Sequence, residues 1–501
     1  MHFERSSGIL LHPTSLPGPY GSGDLGASAY HFVDWLAVAG QKLWQMLPLG
    51  GIGPGNSPYM SSSAFAGNAL LIDLDELRAQ GWLETNELTP PSGFNAHRVD
   101  YGLTHTFRME KLRLAARRFF HGGHGRTAFE AFCAEEAGWL DDYALFMALA
   151  DHHGWADWCD WPAPLARRDK RALTKAAAEL HESVGFWKFC QWSFFRQWRK
   201  LKHYANEHGV QIVGDIPIFI AYQSAEVWAN QSLFKLGRDK RPTVVAGVPP
   251  DFFSETGQRW GNPLYHWPAH EKEGYAWWIA RLRQTIALVD IVRIDHFRGF
   301  AGYWEIPADE PTAINGCWRP GPGAKLFEAI RAALGKLPII AEDLGVITPD
   351  VVALRDQFEL PGMRILQFAF GDDANNAFLP HNYVANTVVY GGTHDNDTAV
   401  GWFQSASERE RAFACTYLGS NGNEIHWNLI HAASQSVANL AIHPMQDVLG
   451  LGTDCRMNLP GKGEGYWEWR FSWDQVQPWH AERLRALSAV HGRCAMDRLP
   501  F

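Results

Sequence analysis

Residues 289–300 read VDIVRIDHFRGF, a stretch in which an apolar run ends in several ionisable side chains. Burying such groups is costly unless they are paired. In a β-strand, residues two apart share a face, so Arg293 and Asp295 are predicted to point the same way. Val292 and Ile294 then take the opposite face, toward a layer of helices. We therefore expect a strand whose carboxyl end presents an arginine and an aspartate to one site.

Seven further apolar runs also end in polar or charged residues and are bounded by turn formers. They are nearly continuously hydrophobic, as is typical of parallel strands covered on both faces, and helical patterns separate several of them. With residues 290–297 counted fourth, the other runs are 8–16, 42–50, 210–219, 337–345, 363–372, 386–397 and 438–447. Eight strands with helical crossovers and polar carboxyl ends predict an α/β protein, a (β/α)8 TIM barrel.

The chain has 501 residues, whereas a bare barrel needs roughly 250. We assign the surplus to insertions. Residues 1–73 should hold the first two strands, 74–205 a helical insertion subdomain, and 206–501 strands three to eight. A second insertion at about 221–285 looks loop-rich and resembles a lid. Only a short tail follows strand eight, so we expect no C-terminal β-domain.

Composition restricts the class of ligand. The 45 basic and 54 acidic side chains leave a formal net charge of −9. This charge argues against nucleic acid or an anionic membrane as partner, because both need a basic face. The 23 tryptophans predict mainly packing, with some indole rings serving as flat platforms for sugars.

The seven cysteines are scattered and show no CxxC spacing, which predicts reduced thiols in a cytoplasmic protein. The first ten residues lack the pattern of a signal peptide. No apolar run is long enough for a membrane span.

Acids also follow the other predicted strands. Strand three ends in Asp215, strand five in Glu342 and Asp343, and strand seven in His394, Asp395 and Asp397. Paired carboxylates at one barrel mouth indicate glycoside chemistry, in which one attacks the anomeric carbon and the other protonates the leaving oxygen. The arginine beside Asp295 favours an ionised nucleophile. Strand periodicity does not decide whether Glu342 or Asp343 points inward.

A divalent metal site is the rival interpretation, because Asp, Glu and His at strand ends also bind metals. The first strand ends in LHPTSL and lacks a His-x-His pair. The histidines near the mouth show no ligand-like spacing; they are His12, His296, His394 and His443. We therefore predict no metal and no organic cofactor.

Several longer motifs occur in a specific order: GDIPIF, VRIDHFRGF, AEDLG and GGTHDNDT. They closely resemble the strand-end motifs of the 4-α-glucanotransferases, called amylomaltases or disproportionating enzymes, which belong with the α-amylase-like barrels. The segments HPTSLPGPYGSGDLG, GNSPYMSSSAFAGN and GVPPDFFSETGQRWGNPLY resemble the same family. The resemblance covers nearly the whole chain apart from the helical insertion. The sequence departs from the family after GDIPIFIA, where Tyr222-Gln223-Ser224 replaces the acid that often precedes the serine.

The resemblance implies the catalytic roles. Asp295 of RIDHF is the nucleophile, Glu342 of AEDLG is the acid/base, and Asp395 of THDND is the third acid, which grips sugar hydroxyls. The loop 247–265 is expected to cover bound sugars. The expected substrate-binding residues are Ser57, Tyr59, Tyr101, Asp215, Phe253, Gln258, Trp260, Asn262, Arg293 and His394, with Phe252 beside them.

The implied activity is transfer of α-1,4-glucan segments from a donor glucan to glucose or a maltooligosaccharide, with retention of configuration. An α-1,4-glucan hydrolase is the alternative, and a metal-dependent barrel enzyme or a non-catalytic glycan-binding protein ranks below it. Arg298 is expected either to hold its loop through backbone carbonyls or to pair with another acid. The sequence leaves the role of His296 and the oligomeric state open.

Overall fold

The computed structural model describes residues 3–122, 124–250 and 254–495. Eight parallel strands form one sheet, and every predicted run contributes a strand. In chain order, with the labels used below, they are β1 Ser6–Leu10, β2 Leu43–Gln45, β3 Gln211–Pro217, β6 Ile291–Asp295, β9 Ile339–Ala341, β10 Gly362–Ile365, β11 Thr387–Tyr390 and β12 Leu440–Pro444. The predicted (β/α)8 barrel is confirmed.

The first and last barrel strands of the chain, β1 and β12, pair with each other, so the strands curve round into a barrel. The order across the sheet is β10-β11-β12-β1-β2-β3-β6-β9. At the remaining seam the Ala341 amide of β9 donates to the carbonyl of Pro361, just before β10, at 3.0 Å. β1, β11 and β12 are buried along their whole length, as expected for parallel strands covered on both faces.

Helices fill most of the crossovers. Those outside the long β2–β3 connection are α1 Ala27–Val38, α9 Ala225–Ala229, α10 Trp267–Lys272, α11 Ala276–Leu288, α12 Ala324–Leu334, α13 Pro349–Gln357, α14 Ala399–Ser405, α15 Glu408–Leu418, α16 Ile425–Gln435, α17 Met445–Val448 and α18 Pro478–Val490. None of the helices within the described ranges combines the length and apolar character needed to cross a bilayer.

The β2–β3 connection contains α2 Leu74–Ala79, α3 Tyr101–Phe120, α4 Arg126–Glu135, α5 Ala137–His152, α6 Ala163–Ala166, α7 Lys170–Glu179 and α8 His181–Glu207. The last of these helices also serves the barrel: the Trp198 indole donates to the Leu288 carbonyl at 2.8 Å, just before β6. The proposed division of the chain into 1–73, 74–205 and 206–501 remains a prediction.

A second sheet, missed by the sequence analysis, lies outside the barrel. Its antiparallel strands are β4 Val244–Val248, β5 Gln258–Pro263, β7 Gly302–Pro307 and β8 Cys317–Pro320, in the order β5-β4-β7-β8. The first two strands fall within the insertion expected to be loop-rich. β4 pairs with β7, more than 50 residues away in sequence, a partnership that local patterns do not reveal.

Candidate active site

Arg293 is the centre of the charged cluster at the carboxyl ends of the strands. Its side chain is 4% exposed, and Nη1 donates to Oδ2 of Asp215 on the neighbouring strand at 2.6 Å. Nη2 lies 3.1 Å from Oδ1 of Asp295, two residues farther along β6. The predicted shared face is therefore confirmed. One guanidinium offsets two carboxylates, which makes the burial of all three tolerable.

Tyr59 connects the Asp215 end of the cluster to β11. Its hydroxyl donates to Oδ2 of Asp215 at 2.9 Å and lies 2.9 Å from Nε2 of His394. Because the hydroxyl has one proton, its oxygen must accept from His394, which assigns the histidine proton to Nε2. Burial lowers the pKa of His394, so the ring is neutral. Burial and Asp215 raise the pKa of Tyr59 well above its usual range, and the phenol remains a donor.

Glu342 follows β9 and is held by backbone amides. The His296 amide donates to Oε2 at 2.6 Å, and the Leu344 amide donates to Oε1 at 2.8 Å. His296 directly follows Asp295 and has a left-handed conformation, with φ of 53°. This turn links the acids of two neighbouring strands, a role that the sequence left open.

Asp343 points to the other side of β9. Oδ2 accepts from Nη1 of Arg355 in α13 at 2.6 Å, and Oδ1 accepts from the Met363 amide at 2.7 Å. A Cβ atom at Gly362 would lie 2.4 Å from Oδ2 of Asp343. The absence of a side chain at Gly362 therefore makes room for this carboxylate, while Glu342 is the acid close to Asp295.

Asp395 lies beside His394, with 3.4 Å between Oδ1 and Nε2. Oδ1 accepts from Nδ2 of Asn458 at 2.6 Å, and the main-chain oxygen of Asp395 accepts from Nη2 of Arg456 at 2.5 Å. The Asp395 side chain is 45% exposed. It is thus an oriented carboxylate with an open side.

The carboxyl groups of Asp295 and Glu342 influence each other. Burial raises the pKa of Asp295 well above its usual range, and Glu342 raises it further, while Arg293 opposes both effects. Burial also raises the pKa of Glu342, again opposed by Arg293. Two interacting acids titrate as a pair. We place the shared proton on Glu342 because Asp295 is in direct contact with the guanidinium.

The rim contains residues from β5. The Trp260 ring contacts the His296 ring edge-to-face, with centroids 4.8 Å apart, and its indole donates to Oε1 of Gln258 at 3.0 Å. Nδ2 of Asn262 lies 3.6 Å from the Met60 sulfur. Phe252 and Phe253, which were expected to contribute from the loop 247–265, lie outside the described residues.

Ser57 and Tyr101 have indirect positions. The Ser57 hydroxyl accepts from the Tyr59 amide at 3.3 Å and begins the 3-10 turn that carries this tyrosine. The Tyr101 hydroxyl donates to the Trp467 carbonyl at 3.0 Å. Its described contact is therefore with a residue that packs on the site, not with the acids.

Sequence reasoning missed Trp467, Asn458 and Arg456. The Trp467 ring centroid lies 5.8 Å from those of Tyr59 and His394, and its φ is 67°. These residues belong to no strand, and they reach the site only because the segment after β12 folds back over the mouth. Trp467 lies in the aromatic-rich stretch EGYWEWRFSW at residues 464–473, which was the one available sequence signal for it.

Arg298 is held by backbone carbonyls, which was one of its two predicted roles; the other was pairing with an acid. Nε donates to Gly302 at 3.3 Å, and Nη1 donates to Val346. It thereby ties the turn after β6 to the loop after Glu342.

The donor set at the mouth is poorly suited to a metal. Asp215 and Asp295 both contact the Arg293 guanidinium, whose positive charge disfavours a second cation. Across the described ranges, the one set of three potential ligand side chains close together is Asp157, Cys159 and Asp160. Asp160 there accepts from Nη2 of Arg241 at 2.7 Å.

Fold and site together define a barrel enzyme with carboxylates converging at its mouth, as glycoside chemistry requires. The chain belongs to the 4-alpha-glucanotransferase family, whose sequence profile matches residues 11–476. It is 53% identical to a 4-alpha-glucanotransferase of Thermus thermophilus over 503 aligned positions, which cover 98% of this chain and 100% of the relative. Identity to the Synechocystis 4-alpha-glucanotransferase is 49%, with 98% of each chain covered.

A solved structure is similar throughout. The amylomaltase from Streptococcus agalactiae, determined in complex with acarbose, superimposes with a TM-score of 0.96 at 40% identity. The match covers 98% of this chain and 100% of the amylomaltase.

Proposed function

We propose that this protein is a 4-α-glucanotransferase that moves α-1,4-glucan segments between maltooligosaccharides or starch-type glucans. The observation that carries the proposal is Arg293 in contact with Asp215 and Asp295, with Glu342 held beside them by the His296 amide. Relatives that span the same length are named for this activity. The substrates are a glucan donor and a glucose or maltooligosaccharide acceptor.

Asp295 is the proposed nucleophile. It forms a bond to the anomeric carbon of the donor while the bond from that carbon to the leaving glucan breaks. The contact with Arg293 at 3.1 Å keeps this carboxylate ionised and oriented. Because Asp295 keeps an exposed fraction of 29%, a sugar can approach it.

Glu342 is the proposed acid and then base. Burial raises its pKa, so it holds a proton to give to the departing oxygen. Esterification of Asp295 removes a neighbouring negative charge, which lowers the pKa of Glu342 and converts it into the base that activates the acceptor hydroxyl. Two inversions then give net retention.

Asp395 is the proposed third acid. Asn458 fixes one of its oxygens, and the rest of the carboxylate is free to bind sugar hydroxyls. Tyr59, His394 and Asp215 form the hydrogen-bonded wall beside it. These groups would bind the donor sugar and orient its anomeric carbon toward Asp295.

Transfer must compete with water, so the acceptor has to be bound before the covalent intermediate hydrolyses. Trp260, next to His296, is a suitable cover over this side of the mouth, with Gln258 and Asn262 supplying polar contacts. Phe253, also predicted to contribute to substrate binding, lies outside the described residues.

We also propose a cytoplasmic location. All seven cysteines are free thiols, which fits a reducing compartment.

Incubation with maltotriose tests the function. A ladder of longer maltooligosaccharides together with free glucose is expected by chromatography. Products shorter than maltotriose, with no longer species, would instead identify a hydrolase. Activity that persists in EDTA would argue further against a metal-dependent enzyme.

A further inference from the structure

An exposed tryptophan lies on the outer antiparallel sheet. Trp318 of β8 is 40% exposed, and all four residues of this strand are exposed. Its ring meets the edge of Trp304, with centroids 5.2 Å apart. Contiguous exposed apolar surface can mark a ligand-binding groove.

The ring is held rigidly from below. The Cζ atom of Arg298 lies 3.8 Å from the centroid of the Trp318 ring. Arg298 is 6% exposed and is itself fixed by the carbonyls of Gly302 and Val346.

The pair formed by Trp318 and Arg298, called the platform below, is connected to the ends of both strands that carry the proposed catalytic acids. Arg298 comes three residues after Asp295, and Val346 comes four residues after Glu342. An extended chain spans at most about 3.5 Å per residue, so the α-carbons of Val346 and Glu342 are at most about 14 Å apart. Val346 is 54% exposed and adds apolar surface on the Glu342 side.

We propose that Trp318, with Arg298 and Val346, forms an outer acceptor subsite for α-1,4-glucans. This inference rests on the proposed function. The acid/base must lie on the side of the scissile bond where the leaving glucan departs and the acceptor enters, and the loop after Glu342 contributes to the platform. Glucose units present flat C–H faces that stack on indole rings, and Arg298 beneath Trp318 holds that ring in place.

The test separates short from long acceptors. Starch is the donor, and radiolabelled glucose or maltopentaose is the acceptor at initial rates. For Trp318→Ala, the KM for maltopentaose should rise about three- to tenfold, whereas the KM for glucose and kcat stay unchanged. Trp318→Phe should restore most of the affinity, because it keeps an aromatic face.

Trp479→Ala is the matched control, since Trp479 is 45% exposed on α18 and should leave both KM values unchanged. If Trp318→Ala does not fold, Trp318→Leu keeps an apolar cover over Arg298 and should show the same selective rise. Equal changes for the two acceptors, or no change for maltopentaose, would overturn the subsite. Absence of transfer by the unmodified protein would instead overturn the proposed function.

Discussion

Two arginines are buried at opposite ends of the barrel, and their partners differ in kind. Arg293, at the carboxyl ends of the strands, contacts two carboxylates. Arg493, fully buried, lies near the amino ends of β1 and β12 and donates to six carbonyls, those of Ser6, Ala433, Ser434, Ser436, Ala438 and Asn439.

The difference separates chemistry from stability. Neutral carbonyls accept from all the donors of Arg493, and these hydrogen bonds join three segments of the chain. Arg493 therefore stabilises the fold. Arg293 instead contacts carboxylates, and its positive charge favours their ionised form. This division matches the general rule that barrel enzymes react at the carboxyl end and use the amino end for stability.

The same contrast occurs within β6. Asp290, just before the strand, accepts from the Ile212 amide at 2.8 Å and from Nδ2 of Asn206 at 2.9 Å. Asp295, at the other end, contacts Arg293 and has an open side. One strand therefore carries a structural acid and a proposed catalytic acid.

The largest expected effect tests this strand. Asp295→Asn should lower kcat for maltotriose disproportionation by about 10³- to 10⁵-fold, because the amide cannot form the covalent intermediate. Asp290→Asn is the matched control and should leave kcat within about twofold while lowering the melting temperature. Retention of most activity by Asp295→Asn would place the nucleophile elsewhere.

The second prediction compares the two arginines. Arg493→Met leaves buried carbonyls without donors and should lower the free energy of unfolding by about 3–5 kcal/mol, measured by urea denaturation. The kcat of its folded fraction should remain within about twofold. Arg293→Met should lower kcat by about 100-fold or more. Similar losses of kcat in both variants would contradict the division between the two ends.

The third prediction concerns pH. Burial raises the pKa of Glu342 above 4.5, so rising pH removes the acid's proton and kcat/KM falls on an alkaline limb above that value. Arg293 lowers this pKa, and Arg293→Met should therefore move the limb to higher pH. With α-maltosyl fluoride as donor the first step needs no proton, and its alkaline limb should disappear. If the alkaline limb were the same with a glucan and with α-maltosyl fluoride as donor, a group other than Glu342 would be the acid.

The smallest effect is expected at Tyr59. Tyr59→Phe keeps the ring stacked on His394, with centroids 5.3 Å apart, but loses the hydroxyl that contacts Asp215 and His394. We expect kcat/KM to fall about tenfold. Tyr204→Phe removes a comparable hydroxyl bonded to Asp34 and should change kcat/KM less than twofold. Equal losses would mean that the Tyr59 hydroxyl has no special role.

Much of the barrel was predictable because its strands are covered on both faces. Their apolar runs and polar ends identified all eight, and the two-residue period placed Arg293 and Asp295 together. The antiparallel sheet was not predicted, since β4 and β5 are short and the sheet depends on the pairing of β4 with the distant β7. Local sequence carries no information about such partners.

Residue type and chain order thus established the barrel, the acids at its mouth and the resemblance to a family. Which of Glu342 and Asp343 points into the barrel mouth depended on three-dimensional packing, because both faces of that strand are apolar. In the folded chain, Gly362 leaves room for the Asp343 carboxylate and Arg355 binds it. The contributions of Trp467, Asn458 and the His296 amide also required the folded chain. Hydrogen bonds between segments far apart in sequence exist only after the barrel has closed.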